Sequence, residues 1–398
     1  MPWRDQAVAS SAGQWAQEVE EAIRAGLPPT RERIDSIVSA RAPLLGDRGE
    51  HEERALLERA HLGLGPLAEL AAAPGVTDVL VNGDGWVHID RGQGVEATPL
   101  CLPIDGLRPL AVRLAGLAGR RLDDAQPWVD GILPGGVRLH ALLPPLVAGG
   151  AHLSLRIARH TPAGIDGLRT LGVVDGAGAA VLEAVVESRT SFVVVGGTGS
   201  GKTTLLGGIL AACPRSERIV LVEDVAELLP AHPHVVRLQG RAGNVEGRGE
   251  VTLVDLVRQS LRMRPDRIIV GEVRGPEVRD LLLALNTGHR GGGGTVHANG
   301  SAEVVARFEA LASLAGMPRA AVHAQLRGAF GLALVMARDG SVRRLVEVAV
   351  LDGSSAHVRF RSAVLLGSGG ARPGPGWSLL PPAVREAAHS AATSGGAA

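Results

Sequence analysis

The sequence predicts an α/β fold in two domains, with a mostly parallel β-sheet in the second domain. Three observations predict this fold. From about residue 176 to residue 352, short apolar runs alternate with helical segments, as expected when a parallel sheet carries helices on both faces. A glycine-rich segment, residues 196–201, lies between an apolar run and a helical segment. The length of 398 residues is sufficient for two domains with separate cores.

The chain before residue 176 divides into three predicted parts. A charged helical extension covers residues 1–58, a smaller α/β domain covers residues 59–158, and a linker rich in proline and glycine covers residues 159–175. Alternating apolar and polar residues predict the strands of the small domain, and a turn sequence joins the first two. The predicted elements are strands at 76–81, 86–89, 136–140 and 153–157, a turn at 82–85 and a helix at 107–119.

The predicted parallel-sheet domain covers residues 176–366 and is followed by a segment of low complexity. Residues 367–376 consist almost entirely of glycine, proline, serine and alanine. Such a composition buries little apolar surface. We therefore expect residues 367–398 to be a disordered tail.

Composition and charge argue against several classes of partner. The formal net charge is zero and aromatic residues make up 2%, so neither a strong electrostatic field nor stacking platforms favour nucleic-acid binding. No apolar run reaches 18 residues, so we expect no membrane-spanning segment. The N-terminus has no signal-peptide pattern. Cys101 and Cys213 lack metal-binding spacing, and we expect reduced core cysteines of a cytosolic protein.

The glycine-rich segment is a phosphate-binding loop of the pattern G-x-x-x-x-G-K-[ST]. It contains Lys202, the one lysine in a chain with 40 arginines, and lysine is a compact charge that fits where a planar guanidinium does not. The flanking strand 191–195 and helix 203–212 would aim backbone N–H groups at a phosphate. We expect Lys202 to reach the β- and γ-phosphates and Thr203 to bind Mg²⁺. The predicted nucleotide-binding residues are Gly196, Gly197, Thr198, Gly199, Ser200, Gly201, Lys202, Thr203 and Thr204.

Two apolar strands after the loop end in acidic residues. Glu223 lies at the end of the run 218–224, and Glu272 at the end of the run 267–272. Because ligands bind at the carboxyl ends of strands in open parallel sheets, we expect both acids to converge on the nucleotide. The alternative for each is a solvated acid at a strand exit.

The second nucleotide motif departs from its usual form. The position where phosphate-loop proteins usually have an Mg²⁺-holding aspartate is Gly271, and Glu272 follows it. We therefore expect Glu272 to be the main catalytic carboxylate, which orients or deprotonates the attacking water, with Glu223 as a second catalytic acid. The candidate metal ligands besides water are Thr203, Glu223, Asp224 and Glu227.

A histidine-containing segment, residues 287–299, follows the Glu272 strand. Its four consecutive glycines, residues 291–294, predict a mobile loop. His297 would then lie on a segment that can respond to a γ-phosphate. A lone histidine is more often structural, but two histidines flanking a glycine run favour a functional role for His297. No spacing typical of a zinc site accompanies them.

Taken together, these motifs resemble those of the secretion ATPase superfamily of type II and type IV systems. The order of phosphate loop, acidic box, atypical second motif and histidine box is similar to that family. The resemblance is greatest to its tight-adherence (Tad/CpaF-like) pilus and conjugal-transfer-associated branch. The segments that carry the resemblance are residues 63–67, 76–83, 121–123, 261–267, 271–274, 286–289 and 297–299.

The resemblance implies a RecA-like P-loop ATPase domain, ATP and Mg²⁺ as ligands, and a hexameric ring of two-domain subunits. In the family, ATP lies between the N-terminal and RecA-like domains, and arginines close on the phosphates. Arg156 matches the family's arginine on the strand before the linker. Arg138 is a weaker candidate, and Arg262 and Arg274 flank the Glu272 strand. The alternative for each arginine is a surface ion pair of little energetic value.

The resemblance also implies a function and a place in the cell. We expect a cytoplasmic ATPase, peripheral to the inner face of the membrane, that acts on an inner-membrane platform protein to power pilus assembly or export. One alternative is a DNA-transfer ATPase of conjugation, against which the neutral charge and few aromatic residues argue. The other is an ATP-binding switch or scaffold with little turnover, against which the acids Glu223 and Glu272 argue.

Overall fold

The computed structural model divides the chain into two compact units, residues 1–159 and 160–398. The residues it describes are 36, 38, 63–92, 94–134, 136–157, 163–241, 249–340, 342–353, 358–367 and 370–394. The predicted helical extension lies outside the described residues, except for Ser36 and Val38, which are both helical. In the described part of the chain, no helix has the length and apolar character needed to cross a membrane.

The first unit is built on a six-stranded antiparallel sheet with strand order β3-β2-β1-β6-β5-β4. Alternate residues of its strands are buried, for example Val79 and Val81, which pack with Leu107 and Leu114 of helix α2. The predicted hairpin around residues 82–85 is confirmed. The elements are α1 (Ala68–Ala72), β1 (Asp78–Val81), β2 (Trp86–Asp90), β3 (Val95–Cys101), α2 (Ile104–Leu117), β4 (Trp128–Ile132), β5 (Arg138–Leu142) and β6 (His152–Arg156).

The second unit contains a nine-stranded sheet with strand order β15-β14-β13-β12-β7-β11-β10-β8-β9. The six strands from β12 to β9 in this order are parallel, and β13, β14 and β15 add antiparallel strands. The strands are β7 (Phe192–Val195), β8 (Ile219–Glu223), β9 (Val235–Gln239), β10 (Arg267–Val270), β11 (Gly293–Val296), β12 (Leu332–Asp339), β13 (Val342–Asp352), β14 (Arg359–Gly367) and β15 (Gly370–Pro373).

Helices cover both faces of this sheet, as predicted, because the central strands are apolar on both sides. Helices α3, α4, α5 and α10 bury apolar residues on one face, and α6, α7, α8 and α9 on the other. The helices are α3 (Gly164–Thr170), α4 (Gly176–Glu187), α5 (Lys202–Ala211), α6 (Leu253–Ser260), α7 (Val278–Asn286), α8 (Val304–Leu314), α9 (Arg319–Ala329) and α10 (Pro382–Ser394).

The glycine run is buried and its last two residues belong to a strand, so the prediction of a mobile loop at residues 291–294 is wrong. Gly293 and Gly294 belong to β11, which lies between β7 and β10. A Cβ on Gly293 would come within 2.1 Å of the Phe192 carbonyl oxygen, and a Cβ on Gly294 within 2.5 Å of the Val270 carbonyl oxygen. The glycines therefore permit close packing of strands rather than flexibility.

The expected disorder at the C-terminus is also wrong for the residues that the structure describes. Strand β15 extends the sheet, and helix α10 buries Val384 and Ala388 in the core shared with α4. Val384 and Ala388 are four residues apart, which places them on one helix face, and Leu380, which precedes the helix, is buried in the same core. Within the glycine- and proline-rich stretch, residues 370–373 form β15 and residues 375–376 form a turn.

Part of the predicted linker is a packed helix. Leu168 of α3 is fully buried and contacts α5, where a Cβ on Gly208 would lie 2.5 Å from the Leu168 Cγ atom. The described end of the predicted linker, residues 163–175, therefore belongs to the second unit.

The packing of β11 can be tested by adding one methyl group. Gly293→Ala is expected to lower the free energy of unfolding by about 3 kcal/mol, because neighbouring backbone must move to admit the Cβ. Gly176→Ala is the matched control, since Gly176 begins α4 and its added Cβ meets no atom within 4 Å. Thermal denaturation compares the variants, and an unchanged melting temperature for Gly293→Ala would contradict this packing.

Candidate active site

The phosphate loop lies between β7 and α5 at the carboxyl edge of the sheet, as predicted. Gly199 has φ of +69° and Gly201 has φ of +95°, a region that favours glycine. Gly201 is the residue before the first turn of α5, which begins at Lys202. The loop therefore presents a helix N-terminus and its backbone N–H groups, an arrangement that binds phosphate.

Lys202 is buried, with 7% of its surface exposed. Its ammonium Nζ donates to the carbonyl oxygens of Gly196 at 2.8 Å and Gly197 at 2.9 Å, and lies 3.3 Å from His297 Nε2. Burial lowers the pKa of Lys202, and the nearby Glu272 carboxylate opposes this shift. The amine is thus held in a narrow space beside the loop.

Glu272 lies just beyond the end of β10, next to His297. Its Oε1 atom is 3.3 Å from His297 Nε2, and its Oε2 atom is paired with the Arg274 guanidinium. The sequence-predicted Lys202, His297 and Glu272 therefore come together. Arg274, predicted only as a residue flanking the Glu272 strand, joins them.

His297 Nε2 faces both a cation and a carboxylate at the same distance of 3.3 Å. Without a proton, this nitrogen can accept a hydrogen bond from Lys202; with a proton, it can only donate towards an acceptor such as the nearby Glu272 carboxylate. Burial and the charge of Lys202 lower the pKa of His297, while Glu272 opposes the shift. The lowered pKa favours the neutral imidazole, whose two tautomers differ in whether Nε2 carries the proton.

Two contacts with Thr295 hold the backbone on either side of Glu272. Thr295 Oγ1 of β11 donates to the carbonyl oxygen of Gly271 at 2.8 Å. The backbone N–H of Val273 donates to the carbonyl oxygen of Thr295 at 2.9 Å. Thr295 is a positioning residue that the sequence analysis missed, because no motif marks it.

Glu223 is buried at the end of β8 and supports the segment that follows. Its Oε1 atom accepts hydrogen bonds from the backbone N–H groups of Glu227 and Leu228, both at 3.0 Å. Burial raises the pKa of Glu223, and these hydrogen bonds oppose the rise. The side chain also explains Gly271, because a Cβ there would lie 2.8 Å from Glu223 Cγ.

The described side chains do not form a metal cage on their own. Within the described ranges, no group of three histidine, cysteine, aspartate or glutamate side chains could hold a metal ion. Thr203 lies in the first turn of α5, and Glu227 is half-buried after β8. This sparse donor set suits Mg²⁺, which usually binds one or two protein oxygens together with water and phosphate oxygens. The metal roles of Thr203, Glu223 and Glu227 stay predictions.

Two predicted arginines are not brought to Glu272 within the second unit. Arg156 belongs to β6 of the first unit, is exposed, and lies 3.9 Å from Asp78. Arg262 is exposed in the turn before β10, at the amino edge of the sheet, whereas Glu272 lies at the carboxyl edge. The catalytic roles of Arg156 and Arg262 stay predictions.

Comparison with known proteins identifies the family. Residues 60–347 match the family described as type II/IV secretion system protein. The chain belongs to this family. A putative conjugal transfer protein of Mycobacterium tuberculosis is 52% identical over 324 residues, covering 79% of this chain and 92% of that protein. The conjugal transfer protein TrbB of Rhizobium radiobacter is 35% identical over 285 residues, covering 70% and 84%.

The fold agrees with this assignment. The solved structure of the ATPase DotB from Legionella pneumophila has a TM-score of 0.52 to this chain and 22% identity, covering 71% of this chain and 79% of that one. At this identity the likeness shows the fold alone. The predicted fold class, a RecA-like domain preceded by a smaller α/β domain, is confirmed.

The burial of Glu223 predicts a pH-dependent stability difference. Because its pKa is raised on folding, the neutral carboxyl stabilises the folded state at low pH, and this stabilisation is lost as pH rises through the raised pKa. Glu223→Gln keeps a neutral acceptor at Oε1. Its melting temperature is expected to exceed that of the wild type at pH 8, and the difference is expected to shrink towards pH 4.5.

Thermal denaturation between pH 4.5 and pH 8 measures this difference. Glu183→Gln, at an exposed position on α4, controls for the loss of one negative charge. A difference for Glu223→Gln that stays constant across this range would contradict the assigned burial cost.

Proposed function

We propose that this protein is an ATP-hydrolysing motor of a type II/IV secretion-type machine. The observation that carries the proposal is the meeting of Lys202, His297 and Glu272 beside a phosphate loop, with successive contacts of 3.3 Å. A loop that binds phosphate and a carboxylate next to it are the two parts that nucleotide hydrolysis requires. Membership of the secretion family supports the transport role.

In this proposal each side chain has a defined task. Lys202 and the loop N–H groups neutralise the negative charge of the phosphates. Glu272 accepts a proton from the attacking water, whose oxygen bonds to the γ-phosphorus as the bond to the bridging oxygen of ADP breaks. Thr203 would hold Mg²⁺, which supplies further charge neutralisation when bound.

His297 couples the phosphate side of the site to the carboxylate side. A phosphate that attracts the Lys202 ammonium competes with the contact between Lys202 and His297. The imidazole is then available to Glu272, which changes how that carboxylate is held. Because His297 directly follows β11, the change is passed to the segment that leads to α8.

Two machines remain candidates for the motor. The motifs quoted above favour a Tad-like pilus or export system. The likeness to conjugal transfer proteins favours a DNA-transfer machine. Hydrolysis measured with and without DNA discriminates them: a DNA-stimulated rate supports the conjugation role, and a DNA-independent rate supports the pilus or export role.

We further propose a cytoplasmic hexameric ring that acts on a platform protein in the inner membrane. The family resemblance supports this proposal. Light scattering with and without ATP measures the assembly state, and a monomer under both conditions would contradict the ring.

Lys202 is expected to be irreplaceable even by arginine. Lys202→Ala and Lys202→Arg should each lower kcat/KM for ATP by about 100-fold or more, because the buried space beside Gly196 and Gly197 fits a compact ammonium and not a planar head. Arg215→Lys, at an exposed position after α5, is the control for the reverse exchange. Steady-state phosphate release measures the rates, and full activity of Lys202→Arg would contradict the assigned fit.

Glu272→Gln is expected to separate ATP binding from hydrolysis. The amide keeps the shape but cannot accept the proton, so single-turnover hydrolysis should fall by about 100- to 1000-fold while ATP still binds. Glu183→Gln is the control for charge. Near-wild-type turnover would overturn the role of Glu272, and negligible turnover by the wild type itself would favour the switch or scaffold.

A further inference from the structure

The hairpin formed by β12 and β13 extends beyond the sheet and runs beside the phosphate loop. Strand β12 pairs with β7 only as far as Val335 and Val195. Beyond this point β7 gives way to the phosphate loop, whereas β12 continues to Asp339 and β13 returns from Val342. A Cβ on Gly196 would lie 2.7 Å from the Met336 carbonyl oxygen, which shows how close the hairpin is to the loop.

Two arginines of this hairpin lie against the glycines of the loop. Arg338 and Arg343 are cross-strand partners, so their side chains leave the hairpin on the same face. A Cβ on Gly199 would meet the Arg338 Nη1 atom at 3.1 Å, and a Cβ on Gly201 would meet the Arg343 side chain at 3.5 Å. Both cationic side chains therefore flank the phosphate loop itself.

These arginines lie on the opposite side of the loop from the catalytic carboxylate. The strand order places β11 and β10, which lead to His297 and Glu272, on one side of β7 and the hairpin on the other. Lys202 contacts His297, so a γ-phosphate that is to be hydrolysed belongs on the Glu272 side. The α- and β-phosphates, which are nearer the ribose, then lie on the side of the hairpin.

We propose that Arg338 and Arg343 contact the α- and β-phosphates of the bound nucleotide and set its affinity. This inference rests on the proposed nucleotide binding at the loop. ADP and ATP share these two phosphates, so the contact stabilises both equally and does not act on the bond that breaks.

The geometry of Arg338 suits this task. Its Nε atom donates to the Gly340 carbonyl oxygen at 2.8 Å, which fixes the base of the guanidinium while Nη1 lies over Gly199. A guanidinium has five N–H donors in a planar fork that matches phosphate oxygens. Because the side chain is exposed, replacing it leaves the packed core unchanged.

Binding of ADP and of ATP to the full chain tests the proposal. Arg338→Ala is expected to raise the dissociation constants of both nucleotides by about tenfold, the usual scale for a lost charge-assisted contact, with kcat within about twofold. Arg338→Lys should give an intermediate loss, since the charge remains and the fork does not. Arg344→Ala is the matched control, because Arg344 is exposed on the adjacent register position of the same hairpin and faces the other way.

Titration calorimetry with the Mg²⁺ complexes of ADP and ATP gives the constants. Wild-type affinity for ADP in Arg338→Ala, with binding lost in Lys202→Ala, would overturn this inference and leave the proposed function intact. A lower kcat with unchanged ADP affinity would also overturn it. A wild-type chain that binds neither nucleotide would instead remove the proposed function on which the inference rests.

Discussion

Strand β11 passes between β7 and β10 at a separation that leaves no room for side chains at Gly293 and Gly294. The rest of the site depends on this close approach. The chain that leaves β7 forms the phosphate loop, and the chain that leaves β10 leads to Glu272. The spacing of the three strands therefore sets the distance between a bound phosphate and the Glu272 carboxylate. His297, the first residue beyond β11, then lies between the two. Rigid strands, rather than flexible loops, thus position the chemistry.

Four side chains of the site follow one another through successive contacts. Lys202 is a cation, His297 is neutral, Glu272 is an anion and Arg274 is a cation. Lys202 is the buried member of this series, whereas Arg274 is largely exposed, so the contacts of Lys202 gain most from the low local dielectric. The neutral imidazole is the adjustable member, because its one nitrogen cannot satisfy both neighbours. A phosphate that draws the Lys202 ammonium away would therefore change the surroundings of this nitrogen.

Features whose residues lie close together in the sequence could be predicted from it. The phosphate loop has all of its residues within nine positions, and the end of an apolar strand marks Glu272, so both could be predicted. The mobile loop predicted at residues 291–294 is wrong, because glycine occurs both in mobile loops and in closely packed strands. The neighbouring strands that distinguish the two cases are remote in sequence. For the same reason nothing in the sequence pointed to Arg338 and Arg343, which follow the loop by more than 130 residues. Thr295 was missed because its role depends on a backbone carbonyl.

Gly271 shows why a motif cannot always be interpreted position by position. The aspartate that is usual in phosphate-loop proteins is absent there. The Glu223 side chain of β8 instead lies directly beside residue 271. A side chain at residue 271 and the observed conformation of Glu223 exclude each other. Glu223 in turn holds the backbone of residues 227 and 228. The departure at Gly271 and the burial of Glu223 are therefore one structural feature, shared between two neighbouring strands.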